Sequence, residues 1–232
     1  MGNDSLAKKR LEGPNFDTWH ILELAAIHFP DSVAVIDRGT DAILTYSELH
    51  QEATALASWM FEKGLRRGDR IGVHCRNSSA VMKIHFAAAA LHVTIVNLNV
   101  NLAAAELEYI LLDSECRMCF VDTGVGSALL EARRKILREG KATSNGLDVV
   151  WVQVEKSVKQ PLEEDEFGYE FSRCVTYRGA ISLPDIQGSL DDAFHMYYTS
   201  GTTGKPKPVE LSHRIVVYHA VGTIKGVCCI DF

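Results

Sequence analysis

One short run of this chain concentrates its chemical potential: Thr199-Ser200-Gly201-Thr202-Thr203-Gly204-Lys205-Pro206-Lys207. Thr199, Ser200, Thr202 and Thr203 offer hydroxyl donors, and no large side chain interrupts them. Gly201 and Gly204 let the backbone turn where a side chain would clash. Successive N–H groups in such a turn converge into a concavity that binds anions. Lys205 and Lys207 add positive charge. Donors, backbone freedom and cations packed this closely suit a polyphosphate. An apolar and aromatic run from Phe194 to Tyr198 leads into the turn and reads as a buried strand. The turn is not the P-loop of common ATPases, which needs Gly five residues before Gly-Lys and Ser or Thr after the Lys. Thr199 and Pro206 occupy those two places.

Other candidates for chemistry are weaker. Cys116-Arg-Met-Cys119 has metal-ligand spacing, but no second pair follows at zinc-site distance. The pair lies in a strand-like stretch where residues three apart face opposite sides, so buried reduced thiols are expected. The nine histidines contain no His-Glu-x-x-His pattern, and no Gly-x-Ser-x-Gly elbow marks a nucleophile. Gly124-Val-Gly126 hints at a dinucleotide loop, but Leu129 stands where its third glycine belongs, so a turn before a helix is expected. Glu163-Glu-Asp-Glu166 reads as a solvated charge run. No metal site is expected.

The elements that must position the turn alternate in type. Helices are expected at Trp19 to His28, capped by Asp17 or Thr18, and at Leu49 to Met60, after the capping box Thr45-Tyr-Ser-Glu48 and before a C-cap at Gly64. Further helices are expected at Ala80 to Leu91 behind Asn77 or Ser78, Ala103 to Leu112, Ser127 to Arg138 and His213 to Thr223. Strands are expected at Val33 to Ile36, Ala42 to Thr45, Ile71 to Cys75, Val93 to Val96, Met118 to Val121, Val149 to Val154 and Val209 to Leu211. Strands alternating with helices imply an α/β fold with a mostly parallel sheet and helices on both faces. Residues 1–16 are polar and expected to be loose, and 157–192 are the least regular part.

Composition narrows the classes. At 232 residues, with 47% hydrophobic and 23% charged residues, the chain can bury a proper core. A net charge of −6 gives no support for nucleic-acid binding. Arg133-Arg134-Lys135 reads as the polar face of a helix. The first residues are charged and lack an apolar signal core. The most apolar region, Ile84 to Leu98, contains His85, His92 and Asn97 and is too short for a membrane span. A cytoplasmic location is expected.

The run Thr199 to Lys207 resembles the Thr-Ser-Gly-Thr-Thr-Gly-x-Pro-Lys signature of the AMP-forming acyl-adenylate synthetases and matches it at every defined position. Leu44-Thr-Tyr-Ser-Glu-Leu49 is similar to an earlier motif of that family, and Leu91 to Asp122, with Asn99, Leu102, Glu106 and Leu107, looks like another of its segments. The overall look is nearest to acyl-CoA synthetases. The resemblance implies that residues 17–232 are the N-terminal part of an AMP-binding domain, the first part of the large N-terminal domain of an adenylate-forming enzyme. It implies a carboxylic acid, fatty or other acyl, activated by ATP and Mg²⁺ through an acyl-adenylate, with CoA as co-substrate. In that reading Thr199, Ser200, Gly201, Thr202, Thr203, Gly204, Lys205, Pro206 and Lys207 hold the ATP phosphates. Ser212-His213 fits a further family position, so His213 is a candidate contact to the loop or substrate, against the alternative of a packed helix residue.

The family's adenine-binding, metal-associated and ribose-binding motifs, and its small C-terminal lid domain, have no matching position before Phe232. The chain is therefore expected to lack a complete catalytic site. Three places depart from the family pattern: Pro208 and His92 stand where Gly is usual, and Asn97 and Val100 replace prolines. Two alternatives stay beside the ligase reading. One is a non-catalytic ATP-binding or regulatory fragment pairing with a full-length relative; the other is a truncated product without independent function.

Overall fold

The structure is a computed structural model that describes residues 16–141, 147–152, 168–179, 183, 186–199 and 205–228. Among these the elements run α1 (Thr18–His28), β1 (Val33–Asp37), β2 (Ala42–Thr45), α2 (Tyr46–Glu62), β3 (Arg70–His74), α3 (Ser79–Leu91), β4 (Thr94–Asn97), α4 (Ala104–Asp113) and β5 (Met118–Asp122). They continue α5 (Ser127–Arg138), β6 (Asp148–Val152), β7 (Gly168–Glu170), α6 (Phe171–Val175), β8 (Ala193–Thr199), β9 (Lys207–Ser212) and α7 (His213–Cys228). The expected loose segment 1–15 and the charge run 163–166 lie outside the described residues.

β1 and β2 form a small antiparallel hairpin, and seven described strands form the main sheet in the order β7-β6-β5-β3-β4-β8-β9. The main sheet is parallel throughout except for the antiparallel β8–β9 pair. The expected α/β architecture is therefore the one observed.

Alternation along the strands splits the core in two. Ile71, Val73, Ile95, Met118, Phe120, Val150 and Val152 face one side, packed under α1, α2, α3 and α6 through Leu22, Leu56, Met60, Ile84 and Phe171. Val96, Cys119, Val121, Val149, Trp151 and Met196 face the other, under α4 and α5 through Leu107, Ile110, Leu129 and Ile136. Burial on both faces is why these strands read as nearly unbroken apolar runs.

Local signals set several element ends. Asp17 caps α1, accepting from the Trp19 N–H at 2.9 Å and the His20 N–H at 3.1 Å. In the Thr45–Glu48 capping box each residue accepts from the other's backbone, at 2.8 and 3.2 Å. Gly64 follows α2 at φ +89°, the left-handed conformation that glycine tolerates best.

Other ends depend on distant residues. Ser78 precedes α3 but makes no side-chain cap. The Asp37 carboxylate, from the end of β1, accepts the Ser79 N–H at 2.7 Å and also holds the Gly39 and Thr40 N–H groups. Arg133 is not on a polar face: it is buried, and its Nε donates to the Leu147 carbonyl at 2.9 Å. The expectation for residues 157–192 missed β7 and the short helix α6, whose Phe171 and Cys174 plug the first core.

Cys116 and Cys119 are buried free thiols as expected, but they do not face opposite sides. β5 starts only at Met118, so strand alternation does not govern Cys116. Both thiols lie beside Gly72, where the missing side chain leaves room, and Cys116 Sγ also lies 3.2 Å from the Ser114 hydroxyl.

Two substitutions test these contacts. A Cβ at Gly72 would lie 2.6 Å from Cys119 Sγ and 3.0 Å from Leu98 Cδ1. Gly72→Ala should therefore cost about 1–3 kcal/mol by urea denaturation; an unchanged midpoint would show that the sheet yields freely there. Asp37→Ala should cost about 1–2 kcal/mol and Ser78→Ala much less. The opposite ranking would return the cap to Ser78.

Candidate functional site

The described flanks of the turn singled out by composition, Thr199 and Lys205 to Lys207, lie at the carboxyl edge of the parallel strands, where open α/β sheets bind their ligands. β8 runs beside β4, with Ile95 against His195, Val96 against Met196 and Asn97 against Tyr197. It then pairs antiparallel with β9, from Ala193 against Ser212 to Thr199 against Lys207. The strand is only partly buried. Phe194 and Met196 are covered, whereas Tyr197 is 41% exposed, because none of the described helices covers that end of its face.

Ser200, Gly201, Thr202, Thr203 and Gly204 lie outside the described residues. Their flanks are well defined. Thr199 Oγ1 donates to the Lys207 carbonyl at 3.4 Å, closing the last rung of the hairpin. Lys205 is exposed, with its Nζ 5.8 Å from the centroid of the Tyr109 ring. The Pro206 carbonyl accepts from the Tyr109 hydroxyl at 3.3 Å. Thr199, Lys205, Pro206 and Lys207 are thus gathered at one edge. Tyr109 sits on α4, far away in sequence, and no local pattern marked it.

His213 is not brought to that edge. It follows Ser212, whose partner Ala193 is the far end of the hairpin from Thr199. Six residues of strand separate the two ends, roughly 20 Å. The His213 side chain is fully buried, stacked on Phe194 at 4.5 Å and tilted against His92 at 4.6 Å. Its ring nitrogens find no hydrogen-bond partner among the described residues. The packed-residue reading describes this position; contact with the turn does not.

The start of β8 is fixed by charge. Asp192 receives both Arg67 Nε, at 2.8 Å, and Arg67 Nη2, at 2.7 Å, together with the Ser189 N–H at 2.9 Å. His92 stands between two carboxylates, its Nε2 3.1 Å from Asp17 and its Nδ1 2.9 Å from Asp192. The Nε2 contact has hydrogen-bond geometry; the Nδ1 contact is close enough for an ion pair but off the hydrogen-bond line. Burial alone would raise the Asp17 carboxyl, but hydrogen bonds from His20 and His92 outweigh it and hold it well below the usual range. At Asp192 the pair with Arg67 and the Ser189 N–H likewise outweigh burial and lower the carboxyl.

A parallel α/β domain with a hydroxyl-, glycine- and lysine-rich turn at its carboxyl edge is the class that these elements define. The family model described as AMP-binding enzyme matches residues 22–229, and the chain belongs to that family. The chain is 29% identical over 205 residues to "Acyl-CoA ligase SID4" of Ajellomyces capsulatus, covering 85% of this chain and 33% of that protein. It is 30% identical over 207 residues to "Medium-chain acyl-CoA ligase ACSF2, mitochondrial" of Macaca fascicularis, covering 84% and 33%. Among solved structures, the inhibitor-bound N-terminal domain of FACL13 from Mycobacterium tuberculosis superposes with a TM-score of 0.67 at 25% identity, covering 85% of this chain and 44% of that one. The chain spans about a third of the length of the curated relatives it matches.

The buried imidazoles set a pH window for stability. Burial is the main cause that lowers His85 to about 4, His195 to about 3 and His213 to about 4. The neighbouring His85 and His213 add to the shift of His195, and His92 adds to that of His213. His50 and His74 shift the same way, also mainly through burial. In the unfolded chain these rings protonate near 6.5. Their contribution is therefore complete above about pH 6.5 and is lost as pH falls toward 4, by up to ~1.4 kcal/mol per pH unit for each ring. The lowered aspartates Asp17, Asp122 and Asp192 keep their contribution down to the ordinary carboxylate range, so the upper window belongs to the imidazoles. Urea unfolding measured at pH 7.5, 6 and 5 should show falling stability, with a shallower slope in His213→Phe. A flat profile over that range would contradict the burial assigned to these rings.

Proposed function

We propose that the chain is the N-terminal portion of an ATP-dependent, AMP-forming acid–thiol ligase of the acyl-CoA synthetase kind, and that its turn at 199–207 holds the ATP phosphates. The observation that carries this reading is the placement of Thr199, Lys205, Pro206 and Lys207 together at the carboxyl edge of a parallel sheet, in a chain of the AMP-binding family. The family uses ATP.

The chemistry follows from the donor set. In the first step a carboxylate oxygen of the acid bonds to the α-phosphorus of ATP, and the bond from that phosphorus to the bridging oxygen breaks. The products are an acyl-adenylate and pyrophosphate. In the second step a thiol sulfur, that of CoA in this reading, bonds to the acyl carbon, AMP leaves with the electron pair, and the thiol proton is released. The turn serves the first step. Hydroxyls of Thr199, Ser200, Thr202 and Thr203 and the N–H groups around Gly201 and Gly204 bind the β- and γ-phosphates. Lys205 offsets the charge that builds on the leaving pyrophosphate. Among the described residues no group of three His, Cys, Asp or Glu side chains could hold a metal ion. Mg²⁺ in this reading arrives with the nucleotide, whose hard phosphate oxygens favour it.

In this reading residues 17–232 are the first part of the large domain, acting on a fatty or other acyl acid. No helix among the described residues is long and apolar enough to cross a membrane. One observation favours a second reading, in which the chain binds ATP without turnover and docks on a full-length relative. Val209 on β9 and Ile215 and Tyr218 on α7 are apolar and exposed, and β9 is the last described strand of the sheet. Such a face is suited to further covering.

ATP with Mg²⁺ at about 100 times its Kd should raise the midpoint of thermal unfolding by roughly 5–10 °C. The rise should vanish in Lys205→Ala and in Gly201→Ala. Absence of any rise in the wild type would end both readings. Pyrophosphate release over a panel of carboxylic acids then separates them: turnover supports the ligase, and ATP stabilisation without turnover supports the docking fragment.

A further inference from the structure

α4 does more than cover the second core. Near its C-terminal end it presents Tyr109 and, four residues on, Asp113 toward the β8–β9 hairpin. The Tyr109 hydroxyl lies 3.3 Å from the Pro206 carbonyl and 3.5 Å from Asp113 Oδ1. The Tyr198 hydroxyl donates to Asp113 Oδ2 at 2.7 Å. Burial first, and the Asp113 carboxylate second, push the Tyr198 phenol up, so it remains a donor across the physiological range. Both rings rest against the second core. The two tyrosines and the carboxylate thus make one brace, with one tyrosine on the strand leading into the turn and the other touching the segment leaving it.

We propose that Tyr109 is a positioning residue for the phosphate turn, its hydroxyl fixing the Pro206 carbonyl and its ring carrying the Lys205 ammonium. The Tyr198–Asp113 hydrogen bond ties α4 to the strand that leads into the turn and so keeps Tyr109 beside it. The inference deepens the triphosphate reading above and rests on it. An exposed lysine samples many rotamers and loses that freedom when it binds an anion. A lysine already drawn over an aromatic face, beside a pinned carbonyl, loses less. The brace therefore acts on affinity for the phosphates rather than on the fold. The Tyr109 contacts to Asp113 and Pro206 lie at the rim of the sheet, outside the buried core.

The test compares wild type, Tyr109→Phe and Tyr109→Leu with ATP·Mg²⁺ and with inorganic pyrophosphate as probes, using calorimetry and thermal unfolding. The Phe variant keeps the ring and loses one hydrogen bond, so its affinity should fall ~3–10-fold. The Leu variant loses the ring as well and should fall further. The unfolding midpoint without ligand should stay close to wild type for Tyr109→Phe, which keeps the ring packed against the second core, so that variant carries the comparison. Amide hydrogen exchange without nucleotide gives an independent readout: residues 205–209 should exchange faster in Tyr109→Phe, while peptides from α2 and α3 do not change. Wild-type binding that Tyr109→Phe retains in full, or exchange at 205–209 that does not change, overturns this inference alone. A wild type that binds neither probe overturns the triphosphate reading and this inference together.

Discussion

A parallel ladder between β4 and β8 decides where the hydroxyl-rich turn can be. Ile95, Val96 and Asn97 pair with His195, Met196 and Tyr197, and the Thr94 hydroxyl adds a bond to the Ala193 carbonyl at 2.9 Å. Because the pairing is parallel, β8 must end at the same edge as β3, β4 and β5. A register irregularity between Ala193 and His195 lets Phe194 pack in the first core and Met196 in the second, and slipping the strand by one residue would turn both out of their packing. The burial of those two side chains fixes the register, and the register puts Thr199 at the mouth of the sheet.

The same strand is held at its other end by charge. Asp192 draws Arg67 from the turn before β3 and His92 from the end of α3, while Asp17 reaches His92 from the cap of α1. One short polar network joins the first helix, the central crossover and the start of β8. Asp17 and His92 are almost fully buried, so each depends on the other for its solvation. Removing His92 would take from the buried Asp17 carboxylate one of its hydrogen-bond donors, leaving those of Trp19 and His20. The carboxyl edge of the sheet is thereby referred, through β8, to a part of the molecule about 20 Å from it.

What could be read in the sequence was whatever depends on neighbours in the chain. The capping box at Thr45 and Glu48, the glycine after α2 and the strand–helix alternation are local, and each appears where its residues placed it. The apolar run before residue 199 is equally local, and β8 (Ala193–Thr199) forms where it was expected. The rest depends on contacts between distant residues. Asp37 caps a helix 42 residues later. Arg133 turns inward to a carbonyl across the loop to β6, although its neighbours in a basic triplet suggest a polar face. Tyr109 meets Pro206 only because α4 packs on the face of the sheet that lies beside β8. α6 is too short to show a helical period and is held by the core it plugs.

Three residues that depart from the resembled pattern, His92, Asn97 and Pro208, have a local account in the fold. His92 adopts φ +50° at the end of α3, a left-handed position that glycine tolerates best. A histidine in that conformation carries a backbone strain of order 1 kcal/mol. Its ring, between Asp17 and Asp192, supplies contacts that glycine could not make. Pro208 cannot donate to a ladder, but it stands on the last described strand of the sheet, where a missing N–H is best tolerated. Asn97 sends its amide nitrogen to His195 Nδ1 at 3.1 Å and so joins β4 to β8 through side chains as well as backbone. His92 and Asn97 reinforce the strand that leads into the turn, and the sequence of the turn keeps every defined residue of the signature it resembles.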